Sequence, residues 1–291
     1  MNRAKVKTGE DIAYRESTGS GEKLVLIHGN MTSSKHWDIL MENLPDYYHL
    51  LAPDMRGFGE SSYNNRFDSL EELAVDIIDL LNQKNFEDYN LIGWSTGGGV
   101  AMEIAAKKAD EVRKLILLES VSTRGYPIFK KDENGQPIPG ELLKTKEEIA
   151  SDPVQVLPIL NAQKNNDKET MRQIWNSLIY TDNQPEEEKY EEYLEDMMTQ
   201  RNLIDVDYAL ANFNISDQHN GLQPGNNRAK NITAPTLILQ GNQDKVVPMN
   251  MAEAIKEDIG DNAEIQILEN CGHSPLIDDL EQLVDAITKF L

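Results

Sequence analysis

Tyr89-Asn90-Leu91-Ile92-Gly93-Trp94-Ser95-Thr96-Gly97-Gly98-Gly99-Val100 joins an apolar run to a glycine-rich, small-residue run through a single serine. The apolar run Tyr89 to Ile92 has the length of a buried strand. It leads directly into Gly93-Trp94-Ser95-Thr96-Gly97 and then into the small-residue helix Gly98-Gly99-Val100-Ala101-Met102-Glu103-Ile104-Ala105-Ala106. Gly-x-Ser-x-Gly alone would arise by chance about once in ten chains of this size. Between a strand and a helix it acquires a physical meaning, because a sharp turn there lifts the serine Oγ above the carboxyl edge of a sheet. The neighbours of that serine are forced so close that only glycine avoids a clash. A glycine opening a helix costs about 1 kcal/mol relative to alanine, so Gly97, Gly98 and Gly99 require such a reason.

Working outward, five more Val, Ile and Leu runs alternate with helical periodicity: Lys23 to Ile27, Leu50 to Ala52, Lys114 to Leu118, Thr236 to Leu239 and Glu264 to Leu268. That pattern predicts an α/β fold, a parallel sheet with helices on both faces. Ala4 to Lys7 and Ile12 to Arg15 flank Thr8-Gly9-Glu10 and suit an antiparallel hairpin at the sheet edge, giving about eight strands. From residue 122 to about 229 the β-rich runs give way to charged amphipathic segments broken by Pro127, Pro137, Pro139, Pro153, Pro158 and Pro185. A helical insertion is expected there, with 1–121 and 230–291 forming the core. After Pro185, Tyr190, Tyr193, Leu194, Met197 and Met198 make one helical stripe expected to pack inward, leaving the acidic remainder solvated.

The 291 residues are 39% hydrophobic and 27% charged, which fits one large α/β domain or two small ones and excludes disorder for most of the chain. Lys and Arg total 28 against 50 Asp and Glu, and the net charge of −22 repels phosphate backbones and anionic lipid, so neither nucleic acid nor a membrane is an expected partner. The longest apolar runs are far short of the roughly 20 residues of a spanning helix, and Met1-Asn2-Arg3-Ala4-Lys5 lacks a signal-peptide core; a cytoplasmic protein is expected. Cys271, the single cysteine, excludes an internal disulfide and a four-thiol metal site. No two histidines stand at i, i+4 and the acidic residues form diffuse faces, so no metal is expected. Gly19-Ser20-Gly21-Glu22-Lys23 precedes a strand and lacks the Lys-Ser/Thr ending of a phosphate loop.

A serine hydroxyl needs a base, usually a histidine held in one tautomer by a carboxylate. His273 lies in Asn270-Cys271-Gly272-His273, after the run Glu264 to Leu268, with Ser274-Pro275 reading as N-cap and first helical position. That places it at the same sheet edge as Ser95. His28, His36, His49 and His219 are read as structural. Asp244 follows Thr236 to Leu239 in the loop Gln240 to Lys245, the plain alternative being a turn. Glu119, just beyond Lys114 to Leu118, is a competing carboxylate. The catalytic order is then Ser95, Asp244, His273. Two backbone amides must meet the oxyanion: Thr96 supplies one, and the turn His28-Gly29-Asn30-Met31 the other, from Asn30 with Met31 in reserve. Only a backbone amide is needed, so the Asn30 side chain is expected to be replaceable. Cys271 is read as a small packing residue.

His28-Gly29-Asn30, Asp54-Met55-Arg56-Gly57-Phe58-Gly59-Glu60-Ser61, Gly93 to Gly98, Gly241 to Asp244 and Gly272-His273-Ser274-Pro275 resemble, in order and spacing, the α/β-hydrolase superfamily across the whole core. The resemblance implies the α/β-hydrolase fold, makes 122–229 a helical cap over the nucleophile, and gives Asp54 to Ser61 a structural role. Serine at 95 departs from the epoxide hydrolase and haloalkane dehalogenase branches, which place aspartate there, and the Gly-Gly-Ser-Trp-Gly elbow of proline iminopeptidases is absent. More narrowly, the Gly-Trp-Ser-x-Gly-Gly elbow with Gly125-Tyr126-Pro127-Ile128-Phe129 and Asn214-Ile215-Ser216-Asp217 resembles intracellular poly(3-hydroxybutyrate) depolymerases of bacilli, although Thr96 stands where that group has methionine. This implies a serine ester hydrolase acting on short-chain hydroxyalkanoate polyester or oligomers without a cofactor. His36 and Trp37, beside the oxyanion loop, would line the acyl groove with cap aromatics, and Met31 and Trp94 complete the expected substrate-contacting set. A generic carboxylesterase, a C–C bond hydrolase or a cofactor-free perhydrolase would use the same three residues, and a ligand receptor could keep the fold without turnover.

Overall fold

The computed structural model describes residues 1–291. The chain opens with β1 (Asn2–Lys5) and β2 (Asp11–Glu16), a hairpin turning through Gly9 at φ +90°. Then come β3 (Lys23–Ile27), β4 (His49–Pro53), β5 (Tyr89–Trp94), β6 (Val112–Leu118), β7 (Phe129–Lys131), β8 (Pro137–Leu142), β9 (Thr236–Gly241) and β10 (Ala263–Leu268). Eight of these form one sheet in the order β1-β2-β4-β3-β5-β6-β9-β10. Only β1 with β2 and β2 with β4 pair antiparallel; every other neighbour pair in that sheet is parallel. Each apolar run read from the sequence lies within a strand. The one displaced element is the first, which ends at Lys5 because Val6 turns into the core.

Alternation along the strands sends side chains to two faces. Val25, Ile27, Leu91, Leu115, Leu117 and Ile238 pack beneath the helices Leu70–Gln83, Thr96–Lys107 and Met249–Ile259. Their neighbours Leu24, Leu26, Ile92, Ile116, Leu118 and Leu239 meet the helices Asp38–Asn43 and Leu280–Phe290. The two clusters hold 40 and 36 buried residues, so neither face of the central strands is left to water. No helix is long and apolar enough to cross a membrane.

The parallel register sets where chemistry can occur. Ile27 pairs with Gly93, Trp94 with Leu118, Leu118 with Leu239, and Leu268 with Gly241. The carboxyl ends of β3, β5, β6, β9 and β10 therefore stop at one level, and the loops that follow them crowd along one edge.

Between β6 and β9 the segment is not purely helical, as its composition led one to expect. It begins with the antiparallel pair β7–β8, whose prolines and Gly140 sit on largely exposed residues. Five helices follow: Lys146–Ala150, Leu157–Asn165, Lys168–Leu178, Glu187–Met197 and Leu203–Asn212. A capping box between Thr145 and Glu148 starts the first. In the fourth, Tyr190, Tyr193, Leu194 and Met197 are buried, and Tyr193 donates to Asp38 Oδ1 at 2.5 Å, so the stripe packs inward.

Candidate active site

Ser95 caps the helix Thr96–Lys107 with φ 56° and ψ −120°, a conformation costly for any residue with a Cβ. Glycine is required around it. A Cβ on Gly93 would run into the Gly97 carbonyl, and one on Gly97 into the carbonyls of Ile27 and His28. The side chain of Ser95 thus stands at the sheet edge, where His273 Nε2 lies 3.0 Å from its Oγ. His273 Nδ1 is 2.8 Å from Asp244 Oδ2. Asp244 Oδ1 accepts the amides of Val246 at 2.6 Å and Val247 at 2.9 Å, which leaves Oδ2 aimed at the imidazole. Burial works to raise the Asp244 pKa, but the adjacent imidazole and the donated hydrogen bonds hold it below the ordinary carboxylate value. The loop carrying His273 is pinned twice: Trp94 Nε1 donates to the His273 carbonyl at 2.9 Å, and Asp278 Oδ2 accepts the Gly272 amide at 2.8 Å.

Glu119 does not take the place of Asp244. Its Oε1 accepts the Gly241 amide at 2.7 Å and its Oε2 accepts Gln240 Nε2 at 2.8 Å. Its carboxyl touches Asp244 rather than His273, and burial, reinforced by the negative charge of Asp244, pushes its pKa well up. Its two oxygens support the end of β9.

The amides of Thr96 and Asn30 donate to no protein acceptor. The Met31 amide is instead occupied, donating to Asn30 Oδ1 at 3.0 Å, which favours Asn30 over Met31 as the second oxyanion donor. His28 sets this loop. Its Nε2 accepts the Met55 amide at 3.0 Å, so the proton sits on Nδ1, which donates to the Gly29 carbonyl at 2.8 Å. Burial lowers the His28 pKa to about 4 and keeps the ring neutral. Asp54 holds the next turn by accepting the Ser34 and Glu60 amides, both at 2.8 Å.

Ser95, Thr96, Asn30 and His273 open into a cavity of about 550 Å³ whose walls are mostly apolar. Met31 and Trp94 line it; Ile128, Ile159, Trp175 and Leu178 are among the walls from the β6–β9 segment. His36 and Trp37 do not reach it, which corrects the acyl-groove expectation. Trp37 is fully buried and packs edge-on against Trp94 without lining the cavity. His36 stacks on Tyr193 with ring centroids 4.2 Å apart and lies 3.4 Å from Asp196 Oδ2. The 3-10 turn Ser34–Trp37 points both into the contact between sheet and inserted helices. His49 pairs with Glu16, and His219 accepts the Gly221 amide. Cys271 is buried, and its thiol is pushed up to about 12 by burial and nearby carboxylates, leaving no thiolate for attack.

The sequence reading missed three polar residues. Asp207 lines the cavity and accepts from Asn30 Nδ2 at 3.1 Å, while Gln200 Nε2 donates to Asn30 Oδ1 at 2.8 Å and to Asn202 Oδ1 at 2.8 Å. The Asn30 side chain, expected to be replaceable, therefore ties the oxyanion loop to the inserted helices. The signal available was Asp207 itself, four residues after Leu203 and three before Leu210, a charge on an otherwise apolar helical stripe.

A sequence model of the alpha/beta hydrolase fold matches residues 23–280. The chain belongs to the alpha/beta hydrolase fold family. This alpha/beta hydrolase is 26% identical over 275 residues to a pimeloyl-(acyl-carrier protein) methyl ester esterase of Nitrosomonas europaea, covering 92% of this chain and 95% of that one. It is 24% identical over 287 residues to a 2-hydroxy-6-oxononadienedioate/2-hydroxy-6-oxononatrienedioate hydrolase of Paraburkholderia phymatum, covering 96% and 90%. Among solved structures, an esterase from Exiguobacterium antarcticum superposes with a TM-score of 0.75 at 20% identity, covering 99% of this alpha/beta hydrolase and 98% of that chain.

Proposed function

We propose that this protein is a serine carboxylic-ester hydrolase working through an acyl-enzyme. The observation that carries the reading is the continuous line from Asp244 through His273 to Ser95, at 2.8 and 3.0 Å, opening beneath two unoccupied amides. An ester seats with its carbonyl oxygen between the Thr96 and Asn30 amides. Ser95 Oγ attacks the carbonyl carbon while His273 Nε2 takes its proton, and Asp244 holds the Nδ1–H and stabilises the imidazolium. The two amides meet the oxyanion as it forms. The imidazolium then protonates the alkoxy oxygen, the C–O bond breaks and the alcohol leaves. Water attacks the acyl carbon, passing its proton to His273, and collapse releases the acid and restores the Ser95 hydroxyl.

In the same reading the 122–229 segment is a cap and the substrate is a short-chain hydroxyalkanoate ester or oligomer, of the poly(3-hydroxybutyrate) type that the elbow and cap stretches resemble. A largely apolar cavity of about 550 Å³ suits a short acyl chain. The test sets p-nitrophenyl butyrate beside amorphous poly(3-hydroxybutyrate) granules and asks whether a fluorophosphonate labels Ser95. Labelling with hydrolysis of both supports the full reading; hydrolysis of the small ester alone reduces it to a short-chain carboxylesterase; neither labelling nor hydrolysis refutes it. Similarity to the Paraburkholderia hydrolase over 96% of the chain favours C–C hydrolysis as the second reading, and a vinylogous diketone substrate separates the two.

A further inference from the structure

One carboxyl group in the cavity has no part in the chemistry above. Asp207 stands on the helix Leu203–Asn212, one turn from Leu203 and from Leu210, both of which also line the cavity. Its Oδ1 accepts from Asn30 Nδ2 at 3.1 Å, but its Oδ2 accepts from no protein donor and no cation pairs with it. Asn30 is itself fixed, since its Oδ1 receives both Gln200 Nε2 and the Met31 amide. Asp207 is thus held one side chain away from the amide that faces the reacting carbonyl. Burial, with the negative charge of Asp152, pushes its pKa up to about 7. The open oxygen belongs to a half-buried residue that lines a mostly apolar cavity, where water or a polar group of a ligand can supply its partner.

We propose that Asp207 determines acyl specificity, its open oxygen taking a hydroxyl on the second or third carbon of the acyl chain, so that hydroxyacyl esters are the preferred substrates. The inference rests on the ester-hydrolase reading. A hydroxyl both donates and accepts, so it satisfies this carboxyl group whether ionised or protonated; an ammonium suits only the ionised form and a carboxylate only the protonated one. Asn30, whose amide is offered to the carbonyl oxygen, touches Asp207 through its side-chain tip at 3.1 Å, and both residues line the same cavity as Ser95, so the open oxygen belongs to the space that receives the acyl chain.

The test compares kcat/KM for methyl butyrate, methyl 2-hydroxybutyrate and methyl 3-hydroxybutyrate in the wild type, Asp207→Leu and Asp207→Asn. The wild type should favour a hydroxy ester by at least about tenfold, the worth of one buried hydrogen bond to a carboxyl group. That preference should fall to within about twofold in Asp207→Leu, where no hydrogen bond forms, and be largely kept in Asp207→Asn, whose amide can still pair with a hydroxyl. Turnover of methyl butyrate by each variant reports an intact fold, and a disturbance of Asn30 would lower all three esters together and cancel in the ratio. A wild-type ratio near one, or a ratio unchanged by leucine, overturns the assignment. A measurement free of any substitution is inhibition of the wild type by 2-hydroxybutyramide and 3-hydroxybutyramide against butyramide: tighter binding of either hydroxy amide supports the proposal and equal binding of all three overturns it. A wild type inert towards all three esters refutes the hydrolase reading, and the specificity assignment with it.

Discussion

The sheet edge and the chain excursion between β6 and β9 face each other across one cavity and are built on different terms. At the edge, strand ends brought level by parallel register hold Ser95, Asp244 and His273, and both Asp244 oxygens are engaged. On the opposite side the walls are mainly apolar, and Asp207 keeps an oxygen without a protein partner. The edge is fixed before any ligand arrives, whereas the facing wall is completed by what binds. Substitutions at the edge should therefore remove turnover, and those in the wall should change preference while turnover survives.

In Ser95→Ala kcat should fall by about 10⁴ to 10⁶ with the thermal midpoint little changed, by analogy with serine protease knockouts; near-full ester hydrolysis would remove the edge from the chemistry altogether. Asp244→Asn should lower kcat by about 10⁴, because the imidazole loses its tautomer control. Glu119→Gln, which keeps the shape of a side chain that contacts Gly241 and Gln240 rather than His273, should cost no more than about tenfold; a reversed order in ester-hydrolysis rates would reassign the third residue. Trp94→Phe removes the indole N–H that donates to the His273 carbonyl and shrinks a buried aromatic side chain, so chemical denaturation should register a loss of at least about 1–3 kcal/mol.

The wall predicts a pH signature. Folding raises the Asp207 pKa to about 7 from its ordinary value near 4, so the folded state binds this proton more tightly than the unfolded state. Its stability penalty is absent below the unfolded value, grows as pH rises through the window between the two, and is complete above about 7. Asp207→Asn should accordingly gain thermal midpoint relative to the wild type between pH 5 and pH 8; a constant difference would mean that Asp207 ionises freely. The smallest effect is expected from Ile159→Ala, which enlarges the cavity: the preferred acyl chain should lengthen by about one or two carbons, read from a series of p-nitrophenyl esters, with kcat changed only a few-fold.

Much of the edge was legible in the sequence because its signals are local. Apolar runs bounded by turns located β3, β5 and β9, and the glycines about Ser95 are demanded by contacts within the turn itself. The facing wall was less legible. β7 is only three residues long and β8 carries exposed Pro137, Pro139 and Gly140, so neither alternation nor β-propensity marks them. Trp37 follows the oxyanion loop closely in sequence, yet the direction of a 3-10 turn depends on the helices packed above it, and it points away from the cavity. Asp207 left a trace, a charge within an apolar stripe, but its bond to Asn30 spans 177 positions and no local pattern encodes it.

The two ends of the β6–β9 excursion leave from hydrogen-bonded neighbours in the sheet. Such a segment is a cassette: its stem is closed by strand pairing whatever lies between, so the intervening hundred or so residues can be exchanged at little cost in chain entropy. Lineages that swap this cassette would inherit the line from Asp244 through His273 to Ser95 intact, and would have to rebuild only the wall opposite it and the Gln200 and Asp207 contacts that steady Asn30.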